Sequence, residues 1–229
     1  MISDLWVRIL GPVITAAVAL ILAAAHDVAV AGEHGISNVN TSIHVSSGEH
    51  LGDLSTVNGS IHIAENAVVG HAMADNGSVN MEAHSTAADV GTVNGTIKLG
   101  EGAHVNGGVR TVNGAIHIDN GVEVSGNVIT ANGGISVAAA HIGGSVDTAS
   151  GGIDLGPNAQ IDGDVTMSKD RNWILGLQKP PRVAIEPGTV VKGKLHFERP
   201  VTLYVSNRAQ IGVVEGAKVQ KFSGDHAPD

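Results

Sequence analysis

Apolar and polar residues alternate along most of this chain with a period of two, in short bursts. Ile61 and Ile63 flank His62, Ala103 and Val105 flank His104, and Val122 and Val124 flank Glu123. Successive strand residues point to opposite faces, so this rhythm predicts strands with one buried face rather than helices. A glycine closes many bursts (Gly70, Gly107, Gly126, Gly144, Gly163), and another apolar residue stands two positions later (Ala72, Val109, Val128, Val146, Val165). Short strands separated by tight turns are the expected elements.

The bursts belong to a repeat. Asn40, Asn58, Asn76, Asn94, Asn113 and Asn132, then Ser150, are spaced 18, 18, 18, 19, 19 and 18 residues apart. From Asn58 onward each is followed by glycine. Thr56–Ile63, Thr92–Leu99 and Thr111–Ile118 are near-copies of one another, with weaker copies at 38–45, 74–81, 130–137 and 148–155. A unit of this length cannot bury its own apolar face, whereas units stacked on each other bury a continuous one. The expected fold is all-β: a single-stranded parallel β-helix, or β-solenoid, of about nine rungs, each rising about 4.8 Å. Handedness stays open, right-handed coiling being favoured. Independent Asn-Gly hairpins in an antiparallel sandwich are the competing arrangement, and whole-unit spacing argues against them. In the stacked arrangement Asn58, Asn76, Asn94, Asn113 and Asn132 form a structural ladder, bonding rung to rung at a corner where Asn and Gly tolerate left-handed backbone.

Composition agrees with stacking. Only 2% of the 229 residues are aromatic, so the interior must be built from Val, Ile, Leu and Ala. There is no cysteine, which excludes disulfides, thiolate metal sites and a cysteine nucleophile. Residues 1–31 read as a signal peptide, with an uncharged apolar run from Ile9 to Ala25 and cleavage expected after Ala25 or Ala31; a retained N-terminal anchor is the alternative. The mature protein is then expected outside the cytoplasm, periplasmic or extracellular, with no membrane segment after cleavage. Residues 32–167 are the repeats, 168–182 a loop containing Pro180-Pro181, 183–222 further rungs acting as a cap, and 223–229 a loose tail.

Charge changes along the chain. Residues 32–165 hold 14 acidic residues against Lys98 and Arg110, whereas 166–229 hold ten basic against six acidic. An acidic coil disfavours nucleic acid. A basic, aromatic-bearing end suggests a self-association or anionic-partner patch at Lys192, Lys194, Arg199, Arg208 and Tyr204, giving a homo-oligomer, a head-to-tail polymer, or contact with a cell-envelope polymer or surface.

The exported array of Val-Asn-Gly-x-Ile-x-Ile units resembles the bacterial β-strand-repeat adhesin-like family of unknown function. Its turn-rich valine and isoleucine repeats also resemble bactofilins, polymer-forming proteins with a β-helical core. The likeness covers residues 37–167 and extends over 183–217. It implies a structural or surface role and supplies no catalytic residues. Bactofilins are typically cytoplasmic or membrane-associated, and an export signal departs from that pattern.

No cofactor is expected. Histidine is plentiful, and His44 and His62 fall in one outward column that continues Asn80, Lys98, His117, Ser136, Asp154. Two imidazoles about 5 Å apart are a candidate metal pair, but they lack further ligands, and Lys98 repels a cation. Calcium repeats of the glycine-aspartate kind are not reproduced. Asp147, Asp154, Asp162 and Asp164 are the carboxylates a polysaccharide-cleaving enzyme would need, yet they fall at different repeat positions. The six-residue rhythm of hexapeptide acyltransferases is only partly present. The expected function is therefore an exported, non-catalytic structural or surface-interaction protein, with an envelope polysaccharide-binding or polysaccharide-cleaving β-helix as the alternative.

Overall fold

The computed structural model describes residues 34–169 and 179–228. The expected export segment lies outside the described residues, as does the middle of the 168–182 loop.

The described chain winds through three parallel sheets, with ten strands in the first, ten in the second and eight in the third. One rung contributes, for example, Val90–Asn94 to the first sheet, Ile97–Leu99 to the second and His104–Val105 to the third. Every strand pairs in parallel with the equivalent strand of the neighbouring rung, so Asn58, Asn76, Asn94, Asn113 and Asn132 lie in one continuous register. All strand pairing is parallel, as a solenoid requires and a sandwich of hairpins forbids. The architecture is a parallel β-solenoid.

The alternation explains the core. Along the second sheet Ile61, Ile97, Ile116, Ile135 and Ile153 point inward and are almost wholly buried, and Ile63, Leu99, Ile118 and Leu155 form a parallel inward row. Burying each such side chain contributes roughly 1.5–3 kcal/mol. Larger inward residues sit beside smaller ones: the rung carrying Ala72 and Ala74 also carries Met81. A single aromatic, Phe197, enters the described core, in the column where Thr148 and Met167 precede it.

The Asn-Gly corner does not work as expected. None of its Asn-Gly glycines has a positive φ; the left-handed positions lie at the next corner, at Gly48, Asn66, His84, Gly102, Gly121, Asn158 and Gly188, with Gly216 of the last rung the exception at this corner. Glycine is needed after the asparagine because a Cβ on Gly77, Gly95, Gly114 or Gly133 would run into the carbonyl of the preceding rung's corner glycine. The constraint is close approach of stacked backbones rather than φ.

Past Thr148 the corner changes. Ile153 pairs with Val183 and Leu155 with Ile185, so the coil resumes in register after the inserted 168–182 segment. Met167 of the first sheet and Arg182 of the second flank the corner where Asn-Gly stands in earlier rungs, and Glu198-Arg199-Pro200 occupies it in the next. The C-terminal rungs continue the coil: Val190–Val191, Leu195–Phe197 and Thr202–Ser206 pair onward to Gln210–Ile211, Val214–Glu215 and Val219–Phe222, the last strand of each sheet. The tail beyond them is tied down through Asp225 and Ala227.

Candidate functional site

The most regular surface feature is the asparagine ladder. Each exposed side chain donates its Nδ2 to the Oδ1 of the rung before: Asn58 to Asn40 at 2.9 Å, Asn76 to Asn58 at 3.1 Å, then Asn94, Asn113 and Asn132 in sequence at 2.8 Å. Ser150 closes the series by donating to Asn132 Oδ1 at 3.2 Å. Parallel in-register stacking permits this because an amide carries donor and acceptor on opposite arms.

Behind it runs a second ladder that sequence reasoning passed over. Thr92, Thr111, Thr130 and Thr148 are buried and donate Oγ1 to the carbonyls of Gly77, Gly95, Gly114 and Gly133, and Thr56 donates to Thr41. The signal was present as threonine two residues before most ladder asparagines. A hydroxyl inside a dry interior needs such a partner, and the tight glycine corner places a carbonyl within reach.

The histidine column is in the expected register, His44 opposite His62, then Asn80, Lys98, His117, Ser136 and Asp154. The His44 and His62 ring centres are 5.8 Å apart and tilted. Both nitrogens of His62 are engaged, Nε2 with Glu82 at 3.0 Å and Nδ1 with the Asn80 amide at 3.1 Å. Sharing a metal with His44 would cost those contacts. Among the described residues no three His, Asp or Glu side chains are placed to hold a metal ion.

Histidines pair instead with carboxylates of adjacent rungs. On the third sheet His104 meets Glu123 at 3.4 Å, His141 meets Glu123 at 3.8 Å and Asp162 at 3.3 Å, and Lys192 meets Asp162 at 2.8 Å. The Asp162 carboxyl is held below its ordinary range, first by the Lys192 hydrogen bond and then by His141. His71 with Asp89, at the corner leading into the first sheet, and His196 with Glu215, on that sheet, repeat the pattern.

The five residues expected to form a basic patch do not gather. Lys192 and Lys194 lie between the third and first sheets and face Asp162 and Glu215. Tyr204 projects from the second sheet, with the Arg182 guanidinium 5.9 Å from its ring centre. Arg208, on the corner after it, pairs with Asp225 at 2.7 Å. Arg199 is buried and donates to the Ala149 carbonyl at 2.8 Å, so it braces the altered corner rather than facing an outside anion.

The four carboxylates are likewise spread. Asp147 lies on the outer face of the first sheet, Asp154 on the second, and Asp162 and Asp164 at the corner between the third and first. Burial pushes the Asp147 carboxyl up to about 6, against a hydrogen bond from Thr166 that lowers it. Asp154 is raised too, chiefly by burial, with Arg182 opposing. Compared with known protein families, curated proteins and solved structures, the chain matches none.

Proposed function

We propose that this chain is an exported structural or surface-interaction rod, non-catalytic, that associates end to end through its terminal rungs. One observation carries the reading: the coil finishes at both described ends in unpaired strand edges over half-buried apolar residues. Ile36 and Leu51 lie at the first end, and Ile211, Val214, Ala217 and Val219 at the last. Open edges with apolar residues beneath them are templates for further pairing. The ends also differ in charge, with Glu49 and Asp53 near the first and Lys218 and Lys221 near the last, which favours head-to-tail over like-end contact. The envelope is the proposed setting because the N-terminal 31 residues read as an export signal.

Light scattering across a salt series tests this. Multimers that shorten as salt screens the end charges, and that are lost in Val219→Pro, are the expected result. A strict monomer at every concentration, or multimers indifferent to both salt and Val219→Pro, would discard end-to-end association.

A further inference from the structure

The chain's last residues fold back along the outside of the second sheet and meet a built polar site. Arg182 projects from the strand Arg182–Ile185 and donates Nε to the Pro228 carbonyl at 3.1 Å and Nη2 to the Ala227 carbonyl at 3.4 Å. Its third nitrogen, Nη1, is taken by Asp154 of the preceding rung. Glu186, immediately after the same strand and only 8% exposed, accepts the Ala227 amide on Oε1 at 3.0 Å. Its other oxygen is buried without a hydrogen bond among the described residues, 3.9 Å from His226 Nδ1. The Ala227 side chain is itself buried.

This is a recognition pattern for peptide backbone. A guanidinium fork offers donors to two successive carbonyls, and a desolvated carboxylate takes the amide N–H that precedes them. Arginine suits the task because its donors are fixed in one plane. A buried Glu186 carboxylate without a partner is costly, so the site gains by holding a backbone N–H.

We propose that Asp154, Arg182 and Glu186 form a docking site for an extended peptide segment, occupied by the chain's own residues 225–228. The occupant works as a clasp. It begins after the final strand, is held at Asp225 by Arg208, and ends against Arg182 and Glu186, Arg182 being held in turn by Asp154. Four consecutive rungs are thereby joined outside the sheet ladders, at the end of the coil where edge strands fray most readily. The site stands whether or not the rods associate end to end.

NMR on the full chain tests it. In the unaltered protein the Ala227 amide should exchange with solvent much more slowly than a free peptide amide. Ala227→Pro removes that N–H and should release the tail while leaving the Leu99 and Ile118 signals unchanged. A synthetic peptide of residues 223–229, at several times the roughly millimolar effective concentration of a tethered tail, should then shift the Arg182, Ala184 and Glu186 amides of Ala227→Pro. The shifts should be far smaller in the unaltered chain, whose site is filled, and vanish in Ala227→Pro combined with Arg182→Ala. Free exchange of Ala227 in the unaltered protein, no response in a folded Ala227→Pro chain, or a response indifferent to Arg182 would overturn the proposal.

Discussion

Asn113 donates its side-chain amide to Asn94 at 2.8 Å while Asn94 donates to Asn76 at the same distance, so Asn94 is at once donor and acceptor in a six-asparagine chain. Removing it breaks two bonds; removing Asn40, at the end of the ladder, breaks one. With about 0.5–1.5 kcal/mol net per bond, Asn94→Ala should lower unfolding stability by about 1–3 kcal/mol and Asn40→Ala by about half that. Urea denaturation of the two variants reads the difference.

The corner glycines should be far less replaceable than the left-handed ones. Gly114→Ala drives a Cβ onto the Gly95 carbonyl, and stacked backbone cannot move aside, so a loss of about 3 kcal/mol is expected, the upper end for overpacking. Gly48 has φ +68° but open space around it, so Gly48→Ala should cost only its conformational strain, about 1 kcal/mol. Paired denaturation midpoints check this order, which an account based on φ alone would reverse.

Thr111→Val keeps the shape of a fully buried side chain and removes the hydroxyl that reaches the Gly95 carbonyl at 3.1 Å. The expected loss is about 1 kcal/mol, at the low end for an abandoned buried partner, because Ala74 fills the same column and the fold tolerates it. Thr111→Ser should recover most of the bond. Thermal unfolding of the two variants distinguishes a hydrogen bond from packing.

Asp147 sets a pH dependence of definite sign. Its folded carboxyl titrates near 6 against 3.8 for the free side chain, because burial disfavours the charge. Below about pH 4 the group is protonated in both folded and unfolded states and contributes nothing. As pH rises from about 4 to 6 the unfolded carboxyl ionises while the folded one resists, so stability falls by roughly 3 kcal/mol and levels off once the folded carboxyl ionises above 6. Asp147→Asn should match the unaltered protein at pH 3 and exceed it at pH 7, as measured by urea unfolding at both values.

The stacked register was legible because the repeat is a geometric statement: equal spacing of Asn58, Asn76, Asn94, Asn113 and Asn132 can be satisfied at one corner of a coil, and that is where they lie. The inward Ile and Val columns were legible for the same reason. Partners across the fold were not. Arg199 reads as a surface cation until its hydrogen bond to Ala149, fifty residues away, is seen. Residues 223–228 read as a tail because Arg182 and Glu186, which hold them, are more than forty residues upstream. Local pattern encodes which face is buried; it carries no signal for a non-repeating polar contact between distant segments. The role of the corner glycines was hidden differently, since steric approach between rungs and a left-handed φ select the same residue.

The direct test of the stacking is a nuclear Overhauser map of the asparagine side chains. Cross-peaks linking the Asn113 side-chain amide to Asn94, Asn94 to Asn76, and Asn132 to Asn113, each 18 or 19 residues apart, are the expected result. If instead each asparagine contacts only residues within a few positions of itself, as in separate hairpins, the parallel coil and the rod built on it are both contradicted.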